Sequence, residues 1–135
     1  MADLSITATG VLASTNAFSE PCQWGETVAA GASVYKSATD GKMYNAECDV
    51  LAHVSVYGVA LTGGAVNQVG QVQRTGNITI GATVGVGTIY VLSAAAGKIC
   101  PSADLASTNY VSIIGVGVSA TDIQLAVLNT GVQKP

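Results

Sequence analysis

The 135-residue chain is 49% hydrophobic and only 10% charged, with a net charge of −3 and a mean hydropathy of +0.46. Its length suits one ordinary domain, and its five Lys and Arg residues, scattered singly, lack the basic footprint of a nucleic-acid binder. An average domain is about 25% charged, so apolar surface here must be covered by a membrane, by copies of the chain or by a partner, unless the abundant Ala and Val make the excess blander than it looks.

Met1–Gly10 has neither a basic n-region nor an apolar h-region, so no signal peptide is expected. Leu4–Thr9 alternates apolar and polar residues and reads as a strand. Phe18 and Trp24 are the only large aromatics that are not tyrosines, and Trp24 lies in Ser19-Glu20-Pro21-Cys22-Gln23-Trp24-Gly25. A Trp at such a place either anchors an interface or plugs one end of the core.

From residue 27 the chain repeats itself. Thr27-Val28, Gly31 and Tyr35 match Thr83-Val84, Gly87 and Tyr90, and Gly41-Lys42 matches Gly97-Lys98. Val54-Ser55 and Gly58-Val59 match Val111-Ser112 and Gly115-Val116. This alignment makes the second copy one residue shorter before Tyr90 and longer after it. Each copy, 27–61 and 83–118, reads as a strand through its Tyr, a turn, a short extended piece, a loop and a second strand. Asp40-Gly41 predicts a type I′ turn, in which both central residues have positive φ. The strand 54–61 is apolar on both faces, as a strand covered on both sides is. Gly58 and Gly115 stand mid-strand, which predicts a bulge or a close backbone approach in preference to a ligand contact.

Val69–Arg74 and Asn77–Ile80 read as strands around Thr75-Gly76, and Ile123–Val127 as a last strand. The uncharged run Asn77–Gly97 is long enough for a membrane helix. Its glycines and the alternation Ile78-Thr79-Ile80 are strand and turn chemistry instead. Asp104–Thr108 suits one helical turn. Two copies are too few for a solenoid. The expected fold is all-β, a small barrel or sandwich built from two related β units with little or no helix.

Chemistry is sparse. His53 is the only histidine, and Cys48 five residues before it matches no catalytic signature. Cys22, Cys48, Cys100 and His53 lack the paired spacing of zinc ligands. Glu47 and Asp49 read as flanking a solvated loop rather than as a catalytic pair. Gly85-Val86-Gly87 lacks the third glycine of a dinucleotide fingerprint, and the sequon Asn77-Ile78-Thr79 is chance without secretion. Three cysteines cannot all pair within one chain, which suits free thiols in a reducing cytoplasm. Neither an enzyme nor a catalytic, cofactor or metal site is expected.

The chain resembles the capsid decoration, or cement, proteins of tailed bacteriophages. The resemblance rests on Gly25-Glu26-Thr27-Val28-Ala29-Ala30-Gly31, Gly41-Lys42, Gly58-Val59-Ala60-Leu61 and Gly81-Ala82-Thr83-Val84. Its strongest part is Gly87-Thr88-Ile89-Tyr90-Val91-Leu92-Ser93-Ala94, followed by Gly97-Lys98-Ile99 and Ala103-Asp104. It covers 25–128 and implies a β-rich domain there; residues 1–24 match no motif of it and are expected to be an N-terminal arm that contacts the capsid, and 129–135 a short tail. It further implies a homotrimer made in the host bacterial cytoplasm that binds the major capsid protein outside the head and clamps neighbouring subunits, with no nucleic acid or membrane as partner. Leu4, Ile6, Phe18 and Trp24 are the candidates for contact with the capsid or another subunit. The competing expectation is a receptor- or carbohydrate-binding head or tail appendage, using Tyr44, Tyr57 and Tyr110 in a groove.

Overall fold

The computed structural model describes residues 3–135; Met1 and Ala2, the start of the expected arm, lie outside the described residues. Ten strands form one curled antiparallel sheet: β1 (Val11–Ala13), β2 (Phe18–Gln23), β3 (Ser33–Lys36), β4 (Met43–Asn45), β5 (Val56–Ala60), β6 (Val69–Ile80), β7 (Ile89–Leu92), β8 (Ile99–Pro101), β9 (Tyr110–Gly117) and β10 (Asp122–Gln133). The all-β expectation therefore holds. The helical elements among the described residues are 3-10 turns at Ala8–Gly10, Leu51–His53 and Ser102–Asp104. The Asn77–Gly97 run ends β6 and forms β7, and no helix among the described residues is long and apolar enough to cross a membrane.

The repeat is visible in the strand order, β4-β3-β5-β6-β10-β9-β7-β8, which reads the same from either end when the copies are exchanged. The loops repeat it too. Val28 and Val84 N–H donate to Gly64 and Ala120 carbonyls, both at 2.9 Å, and Gly31 and Gly87 N–H donate to Ala60 and Gly117 carbonyls, both at 2.8 Å. In β3 and β5 Val34 faces Gly58, and in β7 and β9 Tyr90 faces Gly115. The structural counterpart of Tyr90 is thus Val34, not Tyr35. The copies keep constant spacing from Gly25 and Gly81 to Lys42 and Lys98, and the extra residue of the second copy falls between β8 and β9. Each mid-strand glycine sits beside a register shift. A Cβ on Gly58 would lie 2.4 Å from the Gln73 carbonyl oxygen, and one on Gly115 2.1 Å from that of Gln124. Bulge and close approach both apply.

β6 is one strand, not two, and belongs to both halves. Its first part pairs with β2 and β5, its second with β1 and β10. The bend between them is at Gly76, whose φ of +85° favours glycine and where a Cβ would meet the Asn16 carbonyl oxygen at 2.2 Å. The buried Gln73 amide spans the bend, Nε2 donating to the Thr75 and Asn77 carbonyls at 3.0 and 2.8 Å.

In the first half the strands curl until Trp24, at the end of β2, bridges Met43 in β4, and Gly25 N–H donates to the Met43 carbonyl at 2.8 Å. In the second half the corresponding gap, between Gly81 and Ile99, is filled by the N-terminal segment. Leu4 N–H donates to the Ile99 carbonyl and Thr7 N–H to that of Gly81, both at 2.8 Å. Leu4–Thr7 is thus a filler held at two points, followed by the 3-10 turn Ala8–Gly10, and not the expected strand over Leu4–Thr9. The described part of 1–24 is likewise not a free arm, since β1 and β2 both pair with β6. The expected tail 129–135 is largely strand, because β10 continues to Gln133. The Asp40-Gly41 turn forms, but only Gly41 has positive φ, at +73°. Its N–H donates to the Ser37 carbonyl at 2.9 Å, so it is a longer loop with glycine in the left-handed position rather than type I′.

Candidate binding surface

Of the four contact candidates, Trp24 is fully buried, and Leu4 and Ile6 pack partly buried against the core. Trp24 fills the first half: a Cβ on Gly64 or Gly70 would lie 2.7 or 2.4 Å from its indole. It plugs the core and is not an interface anchor. Phe18 alone is exposed, at 55%.

Phe18 opens β2 opposite Thr75, beside the bend in β6. A cleft of about 420 Å³ lies there among Phe18, Val56, Tyr57, Arg74, Thr75, Val127 and Asn129. Tyr57 is the extra residue of the β5 bulge. The Arg74 guanidinium stacks on its ring, 3.8 Å from the centroid, and Arg74 Nε donates to the Tyr57 carbonyl at 3.2 Å. The Lys36 ammonium lies 5.6 Å from the same ring. The Tyr57 hydroxyl donates to Glu20 Oε1, which is the main cause of its raised pKa. Across the cleft the Asn129 side chain acts as a short strand, accepting from Val56 N–H at 2.9 Å and donating to the Val56 carbonyl at 3.1 Å.

This cluster is where the copies diverge. The register puts Ile114 of β9 at the place of Tyr57, and Leu125 of β10 at that of Arg74. Both are buried and apolar. The second half carries buried hydrophobes at these positions, so the Arg-aromatic pair is a feature of the first half alone. Sequence comparison of the copies could have found the difference once the register was known.

The other sequence-derived candidates scatter. His53 stacks on Tyr35, centroids 4.8 Å apart, and its Nδ1 lies 3.0 Å from Glu47 Oε1. Tyr35 in turn stacks on Tyr44, whose hydroxyl donates to Asp40 Oδ2 at 2.7 Å. The ring faces of this ladder are largely spent on one another. Asp49 is exposed in the loop beyond Glu47. Tyr110, at the start of β9, is half-buried opposite Gln133. All three cysteines are free. Cys48 and Cys100 are buried, and desolvation pushes both thiols up to about 11. No three His, Cys, Asp or Glu side chains among the described residues are grouped to hold a metal. What the cleft presents is apolar, aromatic and guanidinium surface, from Phe18, Tyr57 and Arg74. No known family model matches the chain, and no curated protein matches it.

Proposed function

We propose that this protein is a structural component of a tailed-phage virion. It binds the outer surface of the capsid, stabilises the head by bridging neighbouring major capsid subunits, and works as a homotrimer. The observation that carries this reading is the exposed Phe18 beside the stacked Arg74–Tyr57 pair, on a body with very little charge. Aromatic residues and Arg are the side chains that dominate protein–protein interfaces, and their cost in affinity concentrates in a few positions. Weak contacts of this kind, repeated over a shell, gain from multivalency.

The test is co-sedimentation with DNA-filled heads that lack the protein. Phe18→Asp leaves the core untouched and should weaken head binding at least about ten-fold, equivalent to about 1.4 kcal/mol. Unweakened binding by this variant, with its fold verified by circular dichroism, removes the proposed surface.

A further inference from the structure

The two halves meet head to tail. The tip of the β7–β8 hairpin, around Gly97, is wedged onto the rim of the first half at Ala30–Ser33. Ser33 N–H donates to the Gly97 carbonyl at 3.0 Å, Gly97 N–H to that of Ala46 at 2.7 Å, and Ala46 N–H to that of Ser33 at 2.9 Å. A Cβ on Gly97 would lie 2.7 Å from Asn45 Oδ1 and 3.2 Å from the Ala32 Cβ. Ile6 also covers this rim, 2.6 Å from where a Cβ of Gly31 would stand.

One such contact uses one tip and one rim, and the repeat supplies two of each. The spare tip is the β3–β4 hairpin, 37–42. Gly41 has φ of +73° against +75° at Gly97, yet a Cβ on Gly41 would meet only Lys36 Cε, at 4.0 Å. The Asp40 carboxylate is already bonded to Lys42 N–H and the Tyr44 hydroxyl.

The spare rim is at the start of β7. Gly87 corresponds to Gly31, and a Cβ there would meet nothing within 4 Å. Ile89 corresponds to Ser33: they face Val116 and Val59 in the same way. The bonds beside them also agree, Ala60 N–H to Ala32 at 2.8 Å and Gly117 N–H to Thr88 at 2.9 Å. The Ile89 N–H therefore points away from β9 as that of Ser33 points away from β5, but no described residue outside the strands supplies it an acceptor. Ser33 is buried, whereas Ile89 is 46% exposed, with Val86 at 71% and Val118 at 40%. Apolar side chains thus stand open where the first half is covered.

We propose that copies of this chain associate head to tail, the 37–42 hairpin tip of one docking on the Val86–Ile89 and Val118 rim of the next. The contact repeats between chains the one already made within the chain. It is heterologous, so it closes into a ring if the rotation between copies allows and otherwise extends as a filament. It supplies the interface for the homotrimer proposed above, does not depend on binding to a capsid, and is tested without capsids.

The experiment uses the full chain. Thr39→Cys and Val86→Cys are made separately in a Cys22→Ser background and mixed under mild oxidation. Disulfide dimers joining residue 39 of one copy to residue 86 of another should outnumber the 39–39 and 86–86 dimers. In light scattering Val86→Lys should reduce the native mass of the oligomer to that of one chain, while Phe18→Asp should leave it unchanged. A single-chain mass for the unsubstituted protein up to its solubility limit overturns the proposal. So does an excess of like-with-like dimers, or a Val86→Lys variant of unchanged mass.

Discussion

Among single residues the cysteines give the most direct measure of how closed the core is. Cys48 and Cys100 are fully buried and Cys22 is half-buried on β2. Desolvation is the leading cause of the raised pKa at all three, and at Cys48 and Cys100 it reaches about 11. The attacking species is the thiolate, so a raised pKa and burial both slow modification at neutral pH. A water-soluble thiol reagent should modify Cys22 alone in the native protein and all three in denaturant, which mass spectrometry of the labelled chain reads directly. Rapid native labelling of Cys48 would show that the 46–54 loop opens on the timescale of the reaction. The sequence discloses the number of cysteines and that they cannot all pair within one chain, but not which are enclosed, because enclosure comes from strands distant in the chain.

At the scale of the element, the bulged strands β5 and β9 depend on having no side chain at Gly58 and Gly115. The backbone of the neighbouring strand occupies the space a Cβ needs, and a strand in a ladder cannot withdraw as a flexible side chain can. Gly58→Ala and Gly115→Ala should each destabilise the protein by about 1–3 kcal/mol, as overpacking does, read as a lower denaturant midpoint with unchanged slope. These glycines were legible in the sequence because they recur at matching places in both copies. The register between the copies was less legible. Aligning Tyr35 with Tyr90 rewards identical side chains, but the pairing is set by the backbone, and Val34 and Tyr90 share the partner glycine. The slip did not reach the second strand, where the paired glycines already set Tyr57 against Ile114; what the sequence could not show is the strand pairing that lays Arg74 on Tyr57 and puts Leu125 at the equivalent place. Trp24 was legible as an unusual residue, with both of its roles in view. Gly64 and Gly70, which make room for its indole, decide for the core, and they lie far along the chain.

For the whole molecule, the two halves close by different means, and this sets how an N-terminal deletion behaves. The first half closes on itself through Trp24 and Met43; the second needs Leu4–Thr7 between Ile99 and Gly81. Leu4 and Ile6 pack against the larger core cluster, and Ile6 also covers the rim at Gly31. Removing residues 1–9 therefore strips the outer edge of β8 and uncovers the 29–31 rim, while Trp24 still seals the first half. The expected result in hydrogen exchange is faster exchange in β8 and the 29–31 loop, with the β3–β4 hairpin amides near their original protection. Trp24→Ala should do the reverse, loosening β2 and β4 at a cost of about 3–5 kcal/mol, the usual range for a buried aromatic truncated to Ala. Equal acceleration everywhere in both variants would mean that the halves open as one unit, which the shared β6 makes the natural alternative. The distinction also bears on the proposed capsid binding. A truncated chain that fails to bind heads has lost a contact only if its second half stays closed, so the exchange pattern has to be measured before the binding loss is assigned to an arm.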